Sequence, residues 1–556
     1  MGKKGAQVFV DTLLEEGVEV LFGIPGGVVI PIFDVLYDSP LRVILTRHEQ
    51  GAAHAADGYA RASGRVGVCL ATSGPGATNL TTGIATAYMD SVPLVAFTGQ
   101  VKTTLIGNDA FQEADTTGVT RPITKYNVLV RHVDDLARTI REAFHIARTG
   151  RPGPVVVDLP VDVSTAEESE KASREINLPG YKPPYKPNER QVMLAAEAIN
   201  AAERPVLYVG GGVIAADASE ELRTLARKAQ IPVTATLMAL GAFPGDDPLW
   251  LGMLGMHGTA TANYAVTESD VLIAVGARFD DRATGRVDKF APKAKIIHFD
   301  IDPTSIGKTV RPHIPVVGDA KLALALLNQH VRPMARPAWH RQIEEWRQAH
   351  PLTYDRNCGR LKPQYVIEQI CRAAPERTII CTEVGQNQMW TAQYFTFRRP
   401  RTLITSGGLG TMGFGFPAAI GAQVAKPDHL VVDIAGDGSF QMNVQELATA
   451  VHNRLPVKVA ILNNGYLGMV RQWQQLFYNR RYSATRLEGN PDFVRLAEAY
   501  GAKGMRITHP DEVRPALEEA FASPETVIMD FQVDPEENVF PMVPAGGAIN
   551  QMIMMA

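Results

Sequence analysis

The sequence lacks several features that would assign it to a special class of protein. Its 556 residues contain no apolar run that approaches the length of a membrane span, and no signal peptide is recognisable before the helix-like stretch Ala6–Glu16. The 55 basic and 59 acidic residues leave a net charge of −4, which gives no electrostatic reason to expect nucleic acid or an anionic membrane as a partner. We therefore expect a cytoplasmic protein that binds neither.

Cysteine is scarce as well. The four cysteines, Cys69, Cys358, Cys371 and Cys381, form no CxxC pair and show no metal-ligand spacing. Cys69 lies in an apolar, strand-like run, where a buried free thiol is the usual case. This pattern fits a reducing compartment.

What the sequence does contain is a long alternation of strand-like and helix-like runs. A chain of this length holds roughly three domains by the usual domain size. The alternation predicts an α/β fold with three doubly wound parallel sheets, and the last segment repeats the architecture of the first. The predicted domains are residues 1–166, 191–330 and 363–535. A polar, proline-rich linker covers Ser164–Arg190, and the irregular segment 536–556 is either a lid or a tail.

The stretch Leu430–Asn464 organises the chain. Leu430–Ala435 and Val457–Leu462 are valine- and isoleucine-rich runs of strand length, and helix-like spacing lies between them at Met442, Leu447, Ala448 and Val451. This β-α-β unit places Gly436–Gly438 (GDG) and Asn463-Asn464 at one edge of a parallel sheet. Ligands bind to α/β sheets at that edge.

The residue types at this edge suit a metal-bound diphosphate. The oxygens of Asp437 and Asn464 are hard ligands suited to Mg²⁺, which leaves positions open for phosphate and water. Gly436 and Gly438 let the backbone approach an anion, and Ser439 is expected to open a helix whose N-terminus favours negative charge. GDG alone is equally well an ordinary strand–turn–helix. Together with Asn464, it resembles the diphosphate–Mg²⁺ motif of thiamine-diphosphate enzymes.

A cofactor of this kind needs a carboxyl group at its other end. Its own aminopyrimidine takes the proton of the thiazolium ring, and a carboxyl group bonded to a pyrimidine nitrogen promotes the tautomer that does so. Glu49 is the candidate, because it follows an apolar strand and precedes the small residues Gly51–Ala53, which leave room for a ring. A glutamate in the first turn of a helix is favourable in any case. Glu49 taken alone therefore leaves both interpretations open.

Longer segments resemble one family along essentially the whole chain. They are similar to the large catalytic subunit of acetohydroxyacid synthase, also called acetolactate synthase. The segments are RHEQGAAHAADGYAR (Arg47–Arg61), SGPGATN (Ser73–Asn79), AFQE (Ala110–Glu113), RPGP (Arg151–Pro154), LGMHG (Leu254–Gly258), VGARFDDR (Val275–Arg282), Gly385-Gln386, GLGTMG (Gly408–Gly413) and MVRQW (Met469–Trp473).

The resemblance implies a thiamine-diphosphate-dependent carboligase of branched-chain amino-acid biosynthesis. It would decarboxylate pyruvate and condense the hydroxyethyl carbanion with pyruvate, giving 2-acetolactate, or with 2-ketobutyrate, giving 2-aceto-2-hydroxybutyrate. The implied cofactors are thiamine diphosphate, Mg²⁺ and a structural FAD. The implied partners are a second copy in a homodimer, with a tetramer as the larger alternative, and a separate small regulatory subunit.

The resemblance also implies residue roles. The catalytic residues would be Glu49, Phe111, Gln112, Met256, Arg282, Met412 and Trp473. Asp437, Asn464 and the carbonyl of Tyr466 would hold Mg²⁺, while Glu49 would come from the other subunit. Met412 would hold the bent cofactor, and the Gly410 carbonyl would receive its amino group.

The central and outer domains would divide the cofactor contacts. Pyrimidine-domain and central-domain contacts, chiefly to FAD, would be Arg151, Gly210, Gly211, Gly212, Thr236, Leu237, Gly255, Met256, His257, Gly276, Arg278, Asp280, Arg282, Asp300, Ile301 and Asp319. Thiamine diphosphate and its metal would contact Glu49, Asn79, Val384, Gly385, Gln386, Asn387, Gly410, Met412, Gly436, Asp437, Gly438, Ser439, Asn464, Tyr466, Leu467, Gly468 and Met469. From the residues alone, the GGG turn is only a weak dinucleotide signal.

The sequence departs from the family pattern at four positions. Val161 replaces the usual lysine of an IPKD stretch, and Asn387 stands where histidine is common. Val28 and Lys102 occupy positions usually held by alanine and often by proline. These departures concern the charge and shape of the substrate channel.

Two other functions remain as alternatives. A thiamine-diphosphate and FAD oxidase would use the flavin for electrons and would consume oxygen with pyruvate. A non-catalytic scaffold would release no CO₂, and the joint presence of Glu49, Gln112, Asp437 and Asn464 argues against it.

Overall fold

The computed structural model describes residues 2–555 of the chain. Its strands form three six-stranded sheets in which neighbouring strands are parallel. The predicted α/β fold with three parallel sheets is confirmed. Within the described range, no helix combines the length and the apolar character needed to span a membrane.

The first sheet has the strand order β2-β1-β3-β4-β6-β5. Its strands are β1 Val20–Gly23, β2 Arg42–Leu45, β3 Gly67–Ala71, β4 Leu94–Gln100, β5 Tyr126–Leu129 and β6 Pro154–Pro160. Strands β3, β4 and β6 are buried along their whole length, as their continuous apolar sequence predicts for a sheet covered on both faces. The helices are Gly5–Glu15, Ile30–Tyr37, Glu49–Ser63, Pro75–Asn79, Thr81–Asp90, Thr116–Thr120, Leu136–Arg148 and Val161–Thr165.

The second sheet has the order β12-β11-β10-β7-β8-β9. Its strands are β7 Pro205–Val209, β8 Val233–Ala235, β9 Trp250–Met253, β10 Val271–Val275, β11 Lys295–Asp300 and β12 Ile314–Val317. The chain runs outward from β7 to β9, returns to β10 beside β7, and runs outward again. Ligands bind where the strand order reverses in this way. The helices are Glu189–Ala201, Gly212–Ala215, Ser219–Ala229, Ala260–Glu268, Asp281–Thr284 and Ala320–His330, and Pro337–Ala349 leads to the last segment.

The third sheet repeats the order of the first, β14-β13-β15-β16-β18-β17. Its strands are β13 Thr378–Thr382, β14 Leu403–Ile404, β15 Leu430–Gly436, β16 Lys458–Asn463, β17 Lys503–Ile507 and β18 Val527–Gln532. The shared order confirms that the two outer segments have one architecture. The helices are Pro363–Ala373, Gln386–Tyr394, Gly415–Ala425, Asp437–Phe440, Leu447–His452, Gly468–Phe477, Phe493–Ala499 and Pro510–Ala522.

Short 3-10 helices complete the local structure of the three segments. They are Gly27–Val29, Thr103–Leu105, Arg121–Ile123, Val133–Asp135, Leu237–Ala239, Val287–Lys289 and Gln441–Glu446.

The segment after β15 is not the single helix that its apolar spacing predicted. A short helix begins at Asp437, two residues before Ser439, and the 3-10 turn Gln441–Glu446 separates it from the next helix. Asn443 breaks the helix with φ −134° and ψ 30°. Its side-chain amide donates a hydrogen bond to the carbonyl of Gly413, with 2.6 Å between nitrogen and oxygen. A contact distant in sequence therefore overrides the local pattern.

Two further segments are the short helix that ends at Asn79 and the chain after Gln532. Asn79 ends a short helix, and Pro75 occupies the first turn of that helix. Among the described residues, the segment after Gln532 contains no helix or strand, as its irregular sequence predicts. The Val543 N–H nevertheless donates to the carbonyl of Met256, so the segment is attached to the middle of the chain.

Two helices rich in small residues join the first and third sheets. The helix Glu49–Ser63 packs along the helix Gly415–Ala425, and a Cβ atom at Gly58 would collide with the carbonyl group of Ala418. The close approach therefore requires glycine at that position. This contact places the start of the Glu49 helix beside the third sheet.

Candidate active site

The carboxyl ends of β15 and β16 form the edge at which the sequence predicts a metal. Asp437 follows β15 directly, is almost fully buried, and accepts a hydrogen bond from the amide of Asn490, with 2.6 Å between Nδ2 and Oδ2. Burial raises the pKa of Asp437 to about 6, while the bond from Asn490 acts in the opposite direction. Asn490 lies in a loop and carries no sequence signal that would have identified it.

Asn464 lies opposite Asp437, after β16. Its side-chain oxygen accepts the N–H of Tyr466 at 3.0 Å, and its amide donates to Gln386 at 3.2 Å. Together, these residues line a small cavity of about 60 Å³. The other predicted cofactor residues in its wall are Val384, Gly385, Asn387, Met412, Gly436, Gly438, Ser439, Leu467, Gly468 and Met469.

The wall of this small cavity carries no lysine, arginine or histidine among the described residues. Asp437 is its only acidic side chain in that range. The described residues also contain no cluster of three or more His, Cys, Asp or Glu that could hold a metal. The predicted metal residues are of a different kind, with one carboxylate, one amide oxygen and one backbone carbonyl.

A much larger cavity, of about 560 Å³, lies at the point where the second sheet reverses its strand order. Gly210 and Gly276 follow β7 and β10 there, and a Cβ atom at Gly210 would collide with the Gly276 carbonyl. Predicted residues in its wall are Arg151, Gly210, Gly211, Gly212, Thr236, Leu237, Met256, His257, Gly276, Arg278, Asp280, Arg282, Asp300, Ile301 and Asp319. Gly255 is not part of this wall.

The two cavities share part of their walls. Val384, Gly385, Met412 and Met469 line both of them, and Gly410 lines the larger one. Met412 therefore lies between the small cavity beside Asp437 and the large cavity at the second sheet.

Besides Met412, three of the predicted catalytic residues line the large cavity. Met256, Arg282 and Trp473 all line it. The N–H of Met256 donates to the carbonyl of Arg282 at 2.7 Å, and a guanidinium nitrogen of Arg282 lies 3.9 Å from the Met256 sulfur. The nearby His257 is buried, which lowers its pKa to about 4. The site thus combines an exposed cation with apolar and aromatic surface.

Glu49, Phe111 and Gln112 line neither cavity of this chain. Asn79 donates a hydrogen bond to Glu49, and a Cβ atom at Gly76 would lie 3.3 Å from the Glu49 carboxylate. Phe111 is 87% exposed.

Gln112 has a positive φ of 58°. A Cβ atom at Gly74 would lie 2.8 Å from its carbonyl oxygen. Glu49, Asn79 and Gln112 therefore lie close together around the SGPG loop. None of the three lines either cavity.

Asp90 is a further residue of the large cavity that the sequence did not reveal. Its carboxylate accepts the N–H groups of Gly407 and Gly408 at 3.1 and 2.7 Å. It also forms an ion pair with Arg61, whose side chain is 10% exposed, at 3.0 Å. Asp90 thereby holds the loop that leads to Met412, across more than 300 residues of sequence.

The family departures lie outside the large cavity. Asn387 lines the small cavity, where its amide donates to the carbonyls of Glu383 and Ile434. Val28 lies against Gly99 of β4. Thr103, next to Lys102, donates both its N–H and its hydroxyl to Asp162, next to Val161. Lys102 and Val161 therefore lie on neighbouring segments.

Family models of thiamine pyrophosphate enzymes match all three parts of the chain. The N-terminal TPP binding domain matches residues 3–119, the central domain residues 192–327, and the C-terminal TPP binding domain residues 383–531. The first and third matches carry the Glu49 group and the Asp437 edge, respectively.

The chain is also similar over nearly its full length to curated proteins. It is 53% identical to the probable acetolactate synthase large subunit of Methanocaldococcus jannaschii, over 99% of this chain and 95% of that protein. It is 53% identical to the acetolactate synthase of Mycobacterium bovis, over 98% and 90% of the two chains. It is 48% identical to the acetolactate synthase large subunit of Haemophilus influenzae, over 99% and 98%.

Proposed function

Because the chain belongs to the acetolactate synthase large-subunit family of thiamine-pyrophosphate enzymes, we propose that it decarboxylates pyruvate and joins the two-carbon unit to a second 2-ketoacid. Its activity is thiamine-diphosphate-dependent acetolactate synthesis, a step of branched-chain amino-acid formation. Pyruvate as the acceptor gives 2-acetolactate. 2-Ketobutyrate is the second acceptor that we propose.

The observation that carries the proposal is the position of Met412. It separates the cavity beside Asp437 from the cavity that contains Met256, Arg282 and Trp473. A cofactor held by its diphosphate at Asp437 would pass Met412 and present its reactive ring toward the other three residues. The arrangement provides one place for the cofactor and another for a ketoacid.

The small cavity fits a diphosphate only together with a cation. Asp437 is a buried carboxylate, and no cationic side chain lines this cavity in the described part of the chain. A diphosphate beside Asp437 would therefore meet like charge without a positive group between them. Mg²⁺ held by Asp437, Asn464 and the Tyr466 carbonyl would supply that charge through the oxygen ligands it prefers.

The large cavity fits a dinucleotide such as FAD. Its volume is in the range of cofactor sites, and it lies at the reversal point of a sheet with dinucleotide-binding topology. Gly210 and Gly276 leave no room for side chains where a pyrophosphate would approach, while Arg151 and Arg278 supply positive charge. We propose that the flavin has a structural role.

The separation of Glu49 from the cavities supports a homodimer, because Glu49 has to reach the bound cofactor. Thiamine diphosphate, when bound, supplies the carbon nucleophile that attacks the ketoacid and allows CO₂ to leave. Glu49 would share a proton with a pyrimidine ring nitrogen of the cofactor, and a carboxyl group can do so only within hydrogen-bond reach. Since Glu49 and Gln112 line neither cavity of their own chain, we propose that they serve the site of a second copy.

The residues of the large cavity would select and orient the acceptor. Arg282 is 59% exposed at its side chain and would pair with the carboxylate of the second ketoacid. Trp473 would limit the space for its alkyl group. We further propose a separate small subunit, because the relatives are named large subunits.

The test is to identify the product that the purified chain forms from pyruvate with thiamine diphosphate, Mg²⁺ and FAD. We expect acetolactate and CO₂ in a ratio of one to one, without stoichiometric consumption of oxygen. Oxygen consumption that matches CO₂ release would indicate the oxidase instead. If no CO₂ is released with any ketoacid, the chain is not a catalyst.

A further inference from the structure

Glu446 is a buried carboxylate that joins the third sheet to the start of the Glu49 helix. It ends the 3-10 turn Gln441–Glu446, and its side chain is fully inaccessible to solvent. One carboxylate oxygen accepts the N–H groups of Arg47 and His48, at 3.1 and 3.0 Å. The other oxygen accepts the hydroxyl of Thr449 at 2.6 Å. Nothing in the proposed chemistry so far uses this residue.

The contacts of Glu446 lie at the point where the Glu49 helix begins. Helix Glu49–Ser63 starts after His48, whose ring nitrogen accepts the N–H of Gln50 at 3.1 Å. The first backbone N–H groups of a helix have no partner inside it and need an acceptor. Glu446 supplies an acceptor for the N–H groups of Arg47 and His48, which immediately precede the helix, from almost 400 residues away in sequence.

Gly51 shows how closely the carboxylate fits. A Cβ atom at Gly51 would collide with the Glu446 carboxylate. The small residue in the first turn is thus required by Glu446 as well as by any ligand. The helix start and the carboxylate therefore determine each other's position.

We propose that Glu446 is a positioning residue for Glu49. By fixing the backbone of Arg47 and His48, it sets the direction in which the Glu49 side chain leaves the first turn of its helix. This inference rests on the proposed role of Glu49 as the carboxyl partner of the cofactor. A displacement of about 1 Å at a reacting group costs on the order of a hundredfold in rate, so a contact with the adjacent backbone controls catalysis without touching the cofactor.

The experiment uses two readouts on the full-length chain. The first is amide hydrogen exchange of the peptide around residues 45–52 in the protein without cofactor. The second is the rate at which added thiamine diphosphate, with Mg²⁺ and without pyruvate, exchanges its thiazolium proton with deuterium. This rate depends on Glu49 and not on the acceptor residues.

We expect Glu446→Ala to accelerate exchange of the Arg47 and His48 amides and to slow the cofactor exchange by about ten- to a hundredfold. Glu446→Gln keeps an oxygen acceptor and should recover the cofactor exchange to within about threefold of the parent. Gly51→Ala displaces the carboxylate, so the Arg47 and His48 amides of this variant, measured without cofactor, should exchange faster, as they do in Glu446→Ala. It provides an independent variant if the alanine protein does not fold.

Glu142→Ala is the matched control. Glu142 is also buried and also accepts a backbone N–H, from Asn177, but it lies in another part of the first segment. Its loss should leave the cofactor exchange at the parent rate. If the Glu446→Ala and Gly51→Ala proteins also exchange the cofactor proton at the parent rate, Glu446 is only structural and the inference is wrong.

Glu49→Gln separates this failure from failure of the proposed function. A slow Glu49→Gln protein with a normal Glu446→Ala protein overturns only the role of Glu446. Parent-like exchange in Glu49→Gln would overturn the role of Glu49 itself.

Discussion

Asn79 donates its side-chain N–H to Glu49, with 2.9 Å between Nδ2 and Oε2. The amide comes from the end of the short helix Pro75–Asn79, and the carboxylate comes from the start of the longer helix Glu49–Ser63. One carboxylate oxygen is therefore held by the protein, and the other lies toward Gly76, where the glycine leaves space. This geometry suits a carboxyl group that offers one oxygen to a ring nitrogen.

Glu49→Ala should lower kcat by about a hundred- to ten-thousandfold, the usual contribution of a general acid or base. The thermal unfolding midpoint should change little, because Glu49 serves proton transfer and not packing. Asn79→Ala should have a smaller effect, since the carboxyl group remains. A near-native rate in Glu49→Ala would remove Glu49 from the reaction.

Asp437→Ala should weaken the binding of thiamine diphosphate and of Mg²⁺ together, because the metal joins the protein to the diphosphate. Titrations of each ligand at saturating concentrations of the other would measure this coupling. Asn490→Ala removes only a hydrogen bond to the same carboxylate and should weaken both affinities less. Unimpaired binding by the Asp437 variant at every concentration would place the metal elsewhere.

Trp473→Leu should reduce the preference for 2-ketobutyrate over pyruvate more than it reduces the total rate. The two acceptors differ by one methylene group, which is worth about 1–3 kcal/mol in an apolar pocket. Competition between the two ketoacids gives the ratio of products directly. If that ratio is unchanged, Trp473 does not shape the acceptor site.

Asp158 should make stability depend on pH. Thr98 and Gln100 donate to its carboxylate, but burial dominates and raises its pKa to about 7. Because the folded protein then binds a proton that the unfolded chain releases, the stabilising contribution is present below about pH 4. It is lost as the pH rises toward 7, at about 1.4 kcal/mol for each unit of pKa shift.

The variant Asp158→Asn should remove this dependence. The thermal unfolding midpoint of the variant, relative to that of the parent, should rise as the pH increases from 5 to 7.5. A constant difference over that range would show that Asp158 titrates normally.

We expect Val28 and Lys102 to make the protein weakly sensitive to sulfonylureas, because the resemblance to acetohydroxyacid synthase implies an access channel that such inhibitors block. The bulk of Val28 is already packed against Gly99, and a tightly packed ligand tolerates extra methyl groups poorly. Covering the charge of Lys102 adds a desolvation cost. The double variant Val28→Ala, Lys102→Pro should be inhibited more strongly, at an unchanged rate without inhibitor. Potent inhibition of the parent would contradict this.

The sequence predicted the parts of the site that depend on local order. The apolar runs of β15 and β16 predict parallel strands, and the end of each strand then places Asp437 and Asn464 at one edge. The pairing of Gly436 with Leu462 confirms this. Such positions follow from the alternation of strands and helices alone.

The contacts made across long stretches of sequence could not be predicted in this way. Asp90 with Gly408, Glu446 with Arg47, and Asn443 with Gly413 each join separate elements. Nothing in the local pattern of either partner indicates the other. The same cause explains the broken helix after Asp437, where one distant carbonyl decides the backbone of Asn443.

The shared wall of Val384, Gly385, Met412 and Met469 has a thermodynamic consequence. A ligand that orders these residues from one cavity lowers the entropy cost of binding in the other, so the two affinities are coupled. The coupling must be equal in both directions. The proposed structural flavin would then raise the affinity of the protein for thiamine diphosphate without taking part in electron transfer. Removing either cofactor would weaken the binding of the other.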